Sequence, residues 1–199
     1  MPVPEDAGTS LTLLGRLRAA DADAWNRLVA LYGPLVAYWV RRGGADGADA
    51  EDLVQEVFRE VSQALPNFRR DRAGDTFRGW LRGVTRIALL RHGRAAGRQP
   101  QAAGGTQALE YLHALPDAPG PADDEEDAPA ERNALYKRAL ALVKGEFEGK
   151  TWQMFWACTV EGKPPAEVAA GLGVSSAAVR QAKSRVLRRL KEEVGDLIE

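Results

Sequence analysis

The residues of this sequence that could do chemistry are suited to holding nucleic acid rather than to making or breaking covalent bonds. One group lies in the segment SSAAVRQAKSRVLRR, where hydroxyl, amide and cationic side chains recur along a predicted helix. At the start of a helix that enters a DNA major groove, such side chains hydrogen-bond to base edges and to phosphates. The candidate residues are Ser175, Ser176, Arg180, Gln181, Lys183, Ser184 and Arg185. Arg188, Arg189 and Lys191 continue the basic run.

The residues before this segment predict the turn that would present it. Pro164–Pro165 suit the first turn of a short helix over Ala166–Ala170, and Gly171 marks the predicted end of that helix. Gly173 can adopt the positive φ of a tight turn between helices, and Ser175 can cap the second helix. The pattern predicts a helix-turn-helix. A plain helical hairpin with a solvated basic face is the alternative, but turn, cap and charge together favour DNA contact.

A second group of candidates combines arginines with aromatic rings. Between Arg69 and Arg98 the sequence holds nine arginines and only two aspartates, and Phe77 and Trp80 lie among them. Single-stranded DNA binding uses this combination, because guanidinium groups hold phosphates and aromatic rings stack on exposed bases. Helical periodicity alone leaves open whether these two rings stack on bases or complete a hydrophobic core.

A third group is a polar row on the predicted helix ADAEDLVQEVFREVSQAL, which Asp49 is expected to cap. Asp52, Gln55, Glu56 and Arg59 are three and four residues apart, so they share one side of the helix. Such a row is either a docking surface for a basic partner or a solvated helix face. Composition alone favours the solvated face.

Composition excludes several function classes. The chain has 199 residues, a net charge of −1 and a pI near 6.2, whereas a free-standing nucleic-acid binder is usually strongly basic. The single cysteine, Cys158, cannot form an internal disulfide, and with His92 and His113 it shows no metal-ligand spacing. Without a Gly-rich phosphate loop or a nucleophile–base pattern, we expect no enzyme, cofactor or metal. We also expect no membrane span and a cytoplasmic location.

The hydrophobic pattern predicts an all-α fold of two small helical domains joined by a flexible linker. Residues 1–10 are expected to be a disordered leader, and residues 11–97 to form the first domain. Residues 98–130 are rich in Gly and Pro, which is typical of a linker. Residues 131–199 are expected to form the second domain.

Local signals refine this picture. Gly33-Pro34 predicts a kink or a junction between two abutting helices. The linker carries the acidic cluster Asp123–Asp127. Helical periodicity resumes over Glu131–Phe147, and Thr151 is expected to cap a further helix. We expect both of these helices to pack onto the helix-turn-helix.

Three strings together resemble the bacterial sigma-70 family of RNA polymerase initiation factors, and more narrowly its small extracytoplasmic-function (ECF) group. They are DLVQEVF, FRGWL and the C-terminal AEVAAGLGVSSAAVRQAKSRVLRRLKEE. The resemblance spans about residues 11–190 apart from the linker. It implies a sigma region 2-like helical bundle followed by a sigma region 4-like helix-turn-helix domain, acting in transcription initiation.

The resemblance also implies partners and roles. The partners are core RNA polymerase, through its β′ clamp helices and β flap, and promoter DNA; an anti-sigma factor is a further candidate. The residues matching the polymerase-docking helix are Asp52, Gln55, Glu56 and Arg59. The residues matching the segment that recognises and melts the minus-ten element are Phe68, Phe77, Trp80, Arg82, Arg86 and Arg91. The C-terminal candidates from Ser175 to Arg185 match the helix that reads the minus-thirty-five element.

One departure from the family pattern keeps alternatives open. Many relatives carry an Asn in the arginine-rich helix where the string VTRIALL places Ile87. A polar contact to melted DNA is then missing or supplied elsewhere. The first alternative is a stand-alone helix-turn-helix regulator whose N-terminal half dimerises or senses. The second is a sigma-like interaction protein that sequesters polymerase or a partner, and Ile87 gives it weight.

Overall fold

The computed structural model of this chain describes residues 12–69, 76–95 and 128–198. Within these ranges the secondary structure is helical and contains no strand, so the predicted all-α fold is confirmed. The helices are α1 Leu13–Arg18, α2 Ala22–Arg42, α3 Gly47–Ala64, a 3₁₀ turn Leu65–Asn67, α4 Phe77–Ala95, α5 Ala128–Lys144, α6 Gly149–Thr159, α7 Pro165–Leu172 and α8 Ser176–Ile198. The expected leader at 1–10 and residues 98–127 of the expected linker, with its acidic cluster, lie outside the described residues.

Contacts between residues divide the chain into two compact units. Among the described residues, the first unit comprises 16–69, 76–95, 128–135 and 197–198, and the second comprises 12–15 and 136–196. The boundary falls inside α5, between Leu135 and Tyr136. The sequence placed the start of the second domain at Glu131, whereas these contacts assign residues 131–135 to the first unit.

The core of the first unit is formed by α2, α3 and α4, which pack on one another. Each helix contributes apolar residues three or four positions apart, so that one stripe of each faces inward. The buried side chains include Leu28, Leu31, Tyr32, Val36, Leu53, Val57, Val61, Phe77, Leu81, Val84 and Ile87. The opposite faces of α3 and α4 are thereby left for polar residues.

Helix α2 is continuous through Pro34, so of the two predicted alternatives, a kink or two abutting helices, the second is wrong. A proline inside a helix removes one backbone hydrogen bond, which normally weakens the helix. Pro34 and Ala30, whose carbonyl loses its donor, are both exposed. Water can therefore satisfy that carbonyl, and the buried stripe of α2 holds the helix together.

Of the predicted helix caps, one is confirmed and two are wrong. Asp21 caps α2 as predicted, since its carboxylate accepts from the backbone N–H groups of Asp23 and Ala24 at 2.9 and 3.2 Å. The prediction for Asp49 is wrong, because α3 already begins at Gly47. Thr151 is likewise inside its helix rather than its cap, because α6 begins at Gly149. Both side chains suit a first helical turn as well as a cap position, so sequence cannot separate the two placements.

The core of the second unit joins the helix-turn-helix to α6. One cluster contains Met154, Val168, Ala169, Val179 and Ala182. A neighbouring cluster contains Trp152, Phe155 and Val186, with Leu140, Phe147 and Leu190 packed against it. The expected packing of α6 on the helix-turn-helix is confirmed, and Leu140 adds the C-terminal part of α5. None of the described helices combines the length and the apolar character that a membrane span requires.

Candidate nucleic-acid and partner interfaces

The turn between α7 and α8 has the geometry that its sequence predicts. Gly173 has a φ of 62°, in the left-handed region, and its N–H donates to the carbonyl of Ala169. The N–H of Val174 donates to the same carbonyl at 3.0 Å. The hydroxyl of Ser175 accepts from the backbone N–H of Ala178 at 3.1 Å, so Ser175 caps α8. Helix α7 continues through Gly171 and ends at Leu172, one residue after the end that the sequence predicted.

Helix α8 separates a buried side from a polar side. Val179, Ala182 and Val186 are buried in the second unit. The predicted minus-thirty-five residues lie at other positions of the helix and at its cap: Ser175, Arg180, Gln181, Ser184 and Arg185 are exposed, and Ser176 and Lys183 are partly exposed. The structure therefore leaves all of the predicted residues of this helix accessible to a ligand.

Arg189 differs from the other basic residues of α8 because acidic residues hold it. Its guanidinium donates to both carboxylate oxygens of Glu146, at 2.6 and 3.0 Å, and lies 2.8 Å from the carboxylate of Glu193. Burial by itself would lower the pKa of Arg189, but the hydrogen bonds and negative charges of Glu146 and Glu193 raise it. Arg189 therefore stays charged and fastens α8 within the second unit.

The polar row on α3 faces solvent. Asp52, Gln55 and Arg59 are exposed and Glu56 is partly exposed, while Leu53, Val57 and Val61 point inward. Arg59 forms an ion pair with Glu56, one turn away. A surface pair of this kind contributes little to stability, so its charges remain available to a partner.

The aromatic residues predicted to meet the minus-ten element form a cluster in the first unit. The ring of Phe77 is fully buried and lies 5.2 Å from Tyr32, 5.5 Å from Phe68 and 5.4 Å from Trp80, measured between ring centroids. Phe68 is 5% exposed and lies 5.0 Å from Trp80. Trp80 is partly exposed at the edge of the cluster. For Phe77 the structure thus shows the core placement that periodicity left open.

The three arginines predicted for the same element have different surroundings. Arg86 is exposed on α4. Arg91 forms an ion pair with Glu60, whose pKa is raised by burial although Arg91 and Arg59 act in the opposite direction. Arg82 is partly buried and contacts an acidic residue of α5, described next.

Glu131 brings together groups that the sequence did not connect. Its carboxylate accepts a hydrogen bond from the indole N–H of Trp39 at 2.6 Å, from Arg78 at 2.6 Å and from Arg82 at 3.1 Å. The guanidinium of Arg82 also lies 5.4 Å from the centroid of the Trp39 ring. Glu131 is 4% exposed, and all these residues belong to the first unit. The one signal for this arrangement in the sequence is the spacing of Arg78 and Arg82, which are one helical turn apart and can contact the same anion.

Ile87 is also placed by the structure. It is 8% exposed and belongs to the core of the first unit. The departure from the family pattern therefore fills the core with an apolar side chain and does not leave an apolar group on the surface that would face DNA.

The second unit also contains an apolar groove of about 850 Å³. Its lining includes the apolar residues Leu140, Trp152, Trp156 and Leu172 and lysines such as Lys144. Within residues 12–69, 76–95 and 128–198, no group of three or more His, Cys, Asp or Glu side chains is arranged to hold a metal ion.

Comparison with known proteins gives a consistent set of similarities. Residues 28–99 match the family model of Sigma-70 region 2. The ECF RNA polymerase sigma factor SigD of Mycobacterium tuberculosis (strain H37Rv) is 30% identical over 183 residues, which cover 88% of this chain and 79% of the relative. The ECF RNA polymerase sigma factor SigE of Mycolicibacterium smegmatis is 28% identical over 193 residues, covering 96% and 69%. Among solved structures, CnrH in complex with the cytosolic domain of CnrY is 22% identical, covers 90% of this chain and 92% of that chain, and has a TM-score of 0.36, so the overall structural likeness is weak.

Proposed function

Because this chain belongs to the extracytoplasmic-function group of the sigma-70 family, we propose that it binds core RNA polymerase, directs it to particular promoters and helps to open their DNA. The observation that carries the proposal is the exposed polar face of α8, in a chain whose first unit matches sigma region 2. The protein acts by binding alone. Extruding a base from the duplex costs a few kcal/mol, and stacking on an aromatic ring returns about 1–3 kcal/mol per base.

We assign polymerase docking to the polar row on α3. Asp52, Gln55, Glu56 and Arg59 form an exposed row on a helix whose opposite side is fixed in the core. A rigid helix presents such a row without an ordering cost, which favours recognition by the β′ clamp helices.

We assign the minus-thirty-five element to α8. Arg180 and Gln181 are exposed near the start of the helix and can reach base edges, while Lys183 and Arg185 can reach phosphates. Ser175, Ser176 and Ser184 complete the accessible polar face. A bidentate base contact from Arg180 would discriminate between bases by about 1–3 kcal/mol.

We assign the minus-ten element to α4, with Trp80, Arg82, Arg86 and Arg91 as its DNA contacts. Trp80 is the partly exposed ring of the aromatic cluster, with Phe68 and Phe77 behind it. Removing a buried Phe costs about 3–5 kcal/mol, which exceeds the 1–3 kcal/mol that stacking on a base returns. Stacking by Phe68 or Phe77 therefore remains a prediction that would require the ring to leave this cluster.

Two further partners complete the proposal. The apolar groove of the second unit is an appropriate site for an apolar segment of the polymerase β flap, because its tryptophan and leucine side chains would be covered. An anti-sigma factor that covers one of these faces is a proposed regulator. A cytoplasmic location follows from action on the polymerase.

Transcription from genomic DNA by purified core polymerase, with and without this protein, tests the proposal. We expect transcripts whose start sites share two upstream elements and that appear only when the protein is added. Polymerase binding without such transcripts would favour the sequestering alternative instead. Tight promoter binding by the protein alone, with no effect on polymerase, would favour the stand-alone regulator.

The same assay tests the assignment of α8. Arg180→Ala should reduce initiation at the preferred promoters by about 10- to 100-fold, since it removes one base contact. Lys150→Ala removes a positive charge from an exposed position on α6 and serves as the matched control. Equal effects of the two substitutions would contradict base reading by Arg180.

A further inference from the structure

The side chains that contact Glu131 form an anion site, and the carboxylate of Glu131 occupies it. Three donors converge on it: the indole N–H of Trp39 and one guanidinium nitrogen each from Arg78 and Arg82, all within 3.1 Å. Both carboxylate oxygens are engaged, because Arg78 donates to Oε2 while Trp39 and Arg82 donate to Oε1. The site is thus built from groups that are oriented toward a bidentate anion.

The members of this site differ in their access to solvent. Two guanidinium groups face the carboxylate of Glu131. The side chains of Arg78 and Arg82 are 18% and 19% exposed, whereas that of Glu131 is 4% exposed. The arginines can therefore be reached from solvent at the edge of the site, while Glu131 covers its centre.

A phosphodiester group offers the same chemistry as this carboxylate. It presents two anionic oxygens, and arginine binds carboxylate and phosphate through the same paired hydrogen bonds. The indole N–H of Trp39 is a further donor that either anion can accept. The site therefore selects for an anion with two neighbouring oxygens, but not for a carboxylate in particular.

The position of the site on α4 relates it to DNA. Arg78, Arg82 and Arg86 follow one another at intervals of four residues, so they form one row about 6 Å apart along the helix axis. Arg86, at one end of the row, is exposed, while Glu131 contacts the other two. A strand that reaches Arg86 from the Arg82 side of this row would pass beside the site that Glu131 occupies.

We infer that Trp39, Arg78 and Arg82 form a phosphate-binding site of the first unit, and that Glu131 occupies this site in the DNA-free protein as an internal stand-in for a DNA phosphate. The inference rests on the proposed function, which supplies the DNA. It adds a regulation that the family resemblance does not give: promoter DNA must displace Glu131 to use the first two arginines of the row.

The test is the binding of the full-length chain to a fluorescein-labelled oligothymidylate of about 12 nucleotides, followed by anisotropy at several salt concentrations. Glu131→Gln removes the competing charge but keeps the size of the side chain. We expect the variant to bind about tenfold more tightly than the unmodified chain at low salt. Its plot of log affinity against log salt should be steeper by about 0.7, because one more phosphate is held. Circular dichroism verifies that the variant keeps its helical content.

Three further variants make the result specific. Glu51→Gln makes the same change of net charge at an exposed position on α3 and should leave the affinity within about twofold. Arg82→Gln added to Glu131→Gln should remove most of the gain. Glu131→Asp keeps the charge on a shorter side chain, and should give a smaller gain even if Glu131→Gln proves too unstable to measure.

The outcomes separate this inference from the proposed function. Folded Glu131→Gln protein that binds no more tightly than the Glu51→Gln control would overturn the phosphate site, even if the unmodified chain directs promoter-specific transcription. Conversely, a gain in affinity that depends on Arg82 would support the site even if no such transcription is found, in which case the proposed function alone would fail.

Discussion

Glu131 is a buried charged residue of the first unit. Its carboxylate joins α2, α4 and α5 through Trp39, Arg78 and Arg82. A buried charge with hydrogen-bonding partners is tolerated, whereas one whose partners are removed is strongly destabilising. Each donor to Glu131 therefore stabilises the fold as well as shaping the anion site.

The hydrogen bond from Trp39 gives a stability prediction. Trp39→Phe keeps an aromatic ring but removes the N–H donor to a charged acceptor, so we expect the free energy of unfolding to fall by about 2 kcal/mol. Urea unfolding followed by circular dichroism measures the change. Trp25→Phe is the matched control, because the ring of Trp25 packs edge-on against Phe58 and should cost less. An equal loss from both substitutions would show that the ring, not the hydrogen bond, matters.

Asp21 gives a prediction of pH dependence. The backbone N–H of Ala24 and the side chain of Arg16 lower the pKa of Asp21 from its ordinary value of 3.8. A carboxyl whose pKa is lowered on folding stabilises the protein above its unfolded-state pKa, and this contribution is lost as the pH falls through the folded-state pKa. Asp21→Asn should therefore lower the melting temperature near pH 7, and the difference from the unmodified chain should shrink toward about pH 3.

Thermal unfolding at a series of pH values provides this measurement. Asp23→Asn removes a neighbouring charge from the same helical turn but neither the cap nor the contact with Arg16, so its effect on the melting temperature should be smaller. A difference for Asp21→Asn that stays constant down to pH 3 would mean that ionised Asp21 contributes nothing to stability.

At the scale of elements, the helix-turn-helix depends on one backbone conformation. Gly173 ends α7 with a φ of 62°, which lets the chain reverse and places Ser175 at the start of α8. Val179, Ala182 and Val186 then anchor α8 in the core, and the bidentate pair of Arg189 with Glu146 holds its later turns. The polar face of α8 is thus fixed by the turn, the buried stripe and one ion pair acting together.

Two glycines in this element provide a matched pair of substitutions. A Cβ atom at Gly171 or at Gly173 would meet no other atom within 4 Å, so the two sites differ in conformation rather than in space. Gly171→Ala should stabilise the protein by up to about 1 kcal/mol, because alanine favours the helix. Gly173→Ala should destabilise it by about 1 kcal/mol, because an L-residue is strained at positive φ.

Thermal unfolding of both variants checks the signs of the two changes. A similar change for both would contradict the conformational explanation. Neither substitution removes a polar group from α8, so DNA contacts should change only through the stability of the turn.

At the scale of the whole molecule, the distribution of charge explains a net charge of −1 in a protein that is proposed to meet DNA. Basic residues are concentrated on α4 and α8, while the polar row on α3 includes the acidic residues Asp52 and Glu56. Because phosphate contacts dominate DNA affinity, a protein whose net charge is slightly negative should bind DNA weakly by itself. The polymerase would then supply the remaining affinity.

The polar row on α3 leads to a docking prediction. Glu56→Lys reverses a charge in the middle of the row and should weaken binding to purified core polymerase by at least about tenfold, through repulsion at the interface. Glu51→Lys makes the same reversal at an exposed position of α3 outside the row. It should have a much smaller effect in the same pull-down or anisotropy titration. Unchanged polymerase binding by folded Glu56→Lys protein would refute the assignment of the row.

Sequence by itself determined the local features of this protein. The helical class, the cap at Asp21 and the turn from Gly173 to Ser175 follow from residues within a few positions of one another. The family follows from three short strings for the same reason. Sequence did not determine the helix starts near Asp49 and Thr151, because each depends on a choice between neighbouring polar residues.

Only the tertiary structure decided which polar and aromatic groups are free to meet a ligand. Glu131 is 92 residues from Trp39, 53 from Arg78 and 49 from Arg82, and no periodic pattern relates positions so far apart. The burial of Phe77 and Ile87 likewise depends on neighbours that packing brings together. So does the hydrogen bond from Arg189 to Glu146. Local preference sets which helices form, but the surfaces that remain after their buried stripes meet are a property of the packed units.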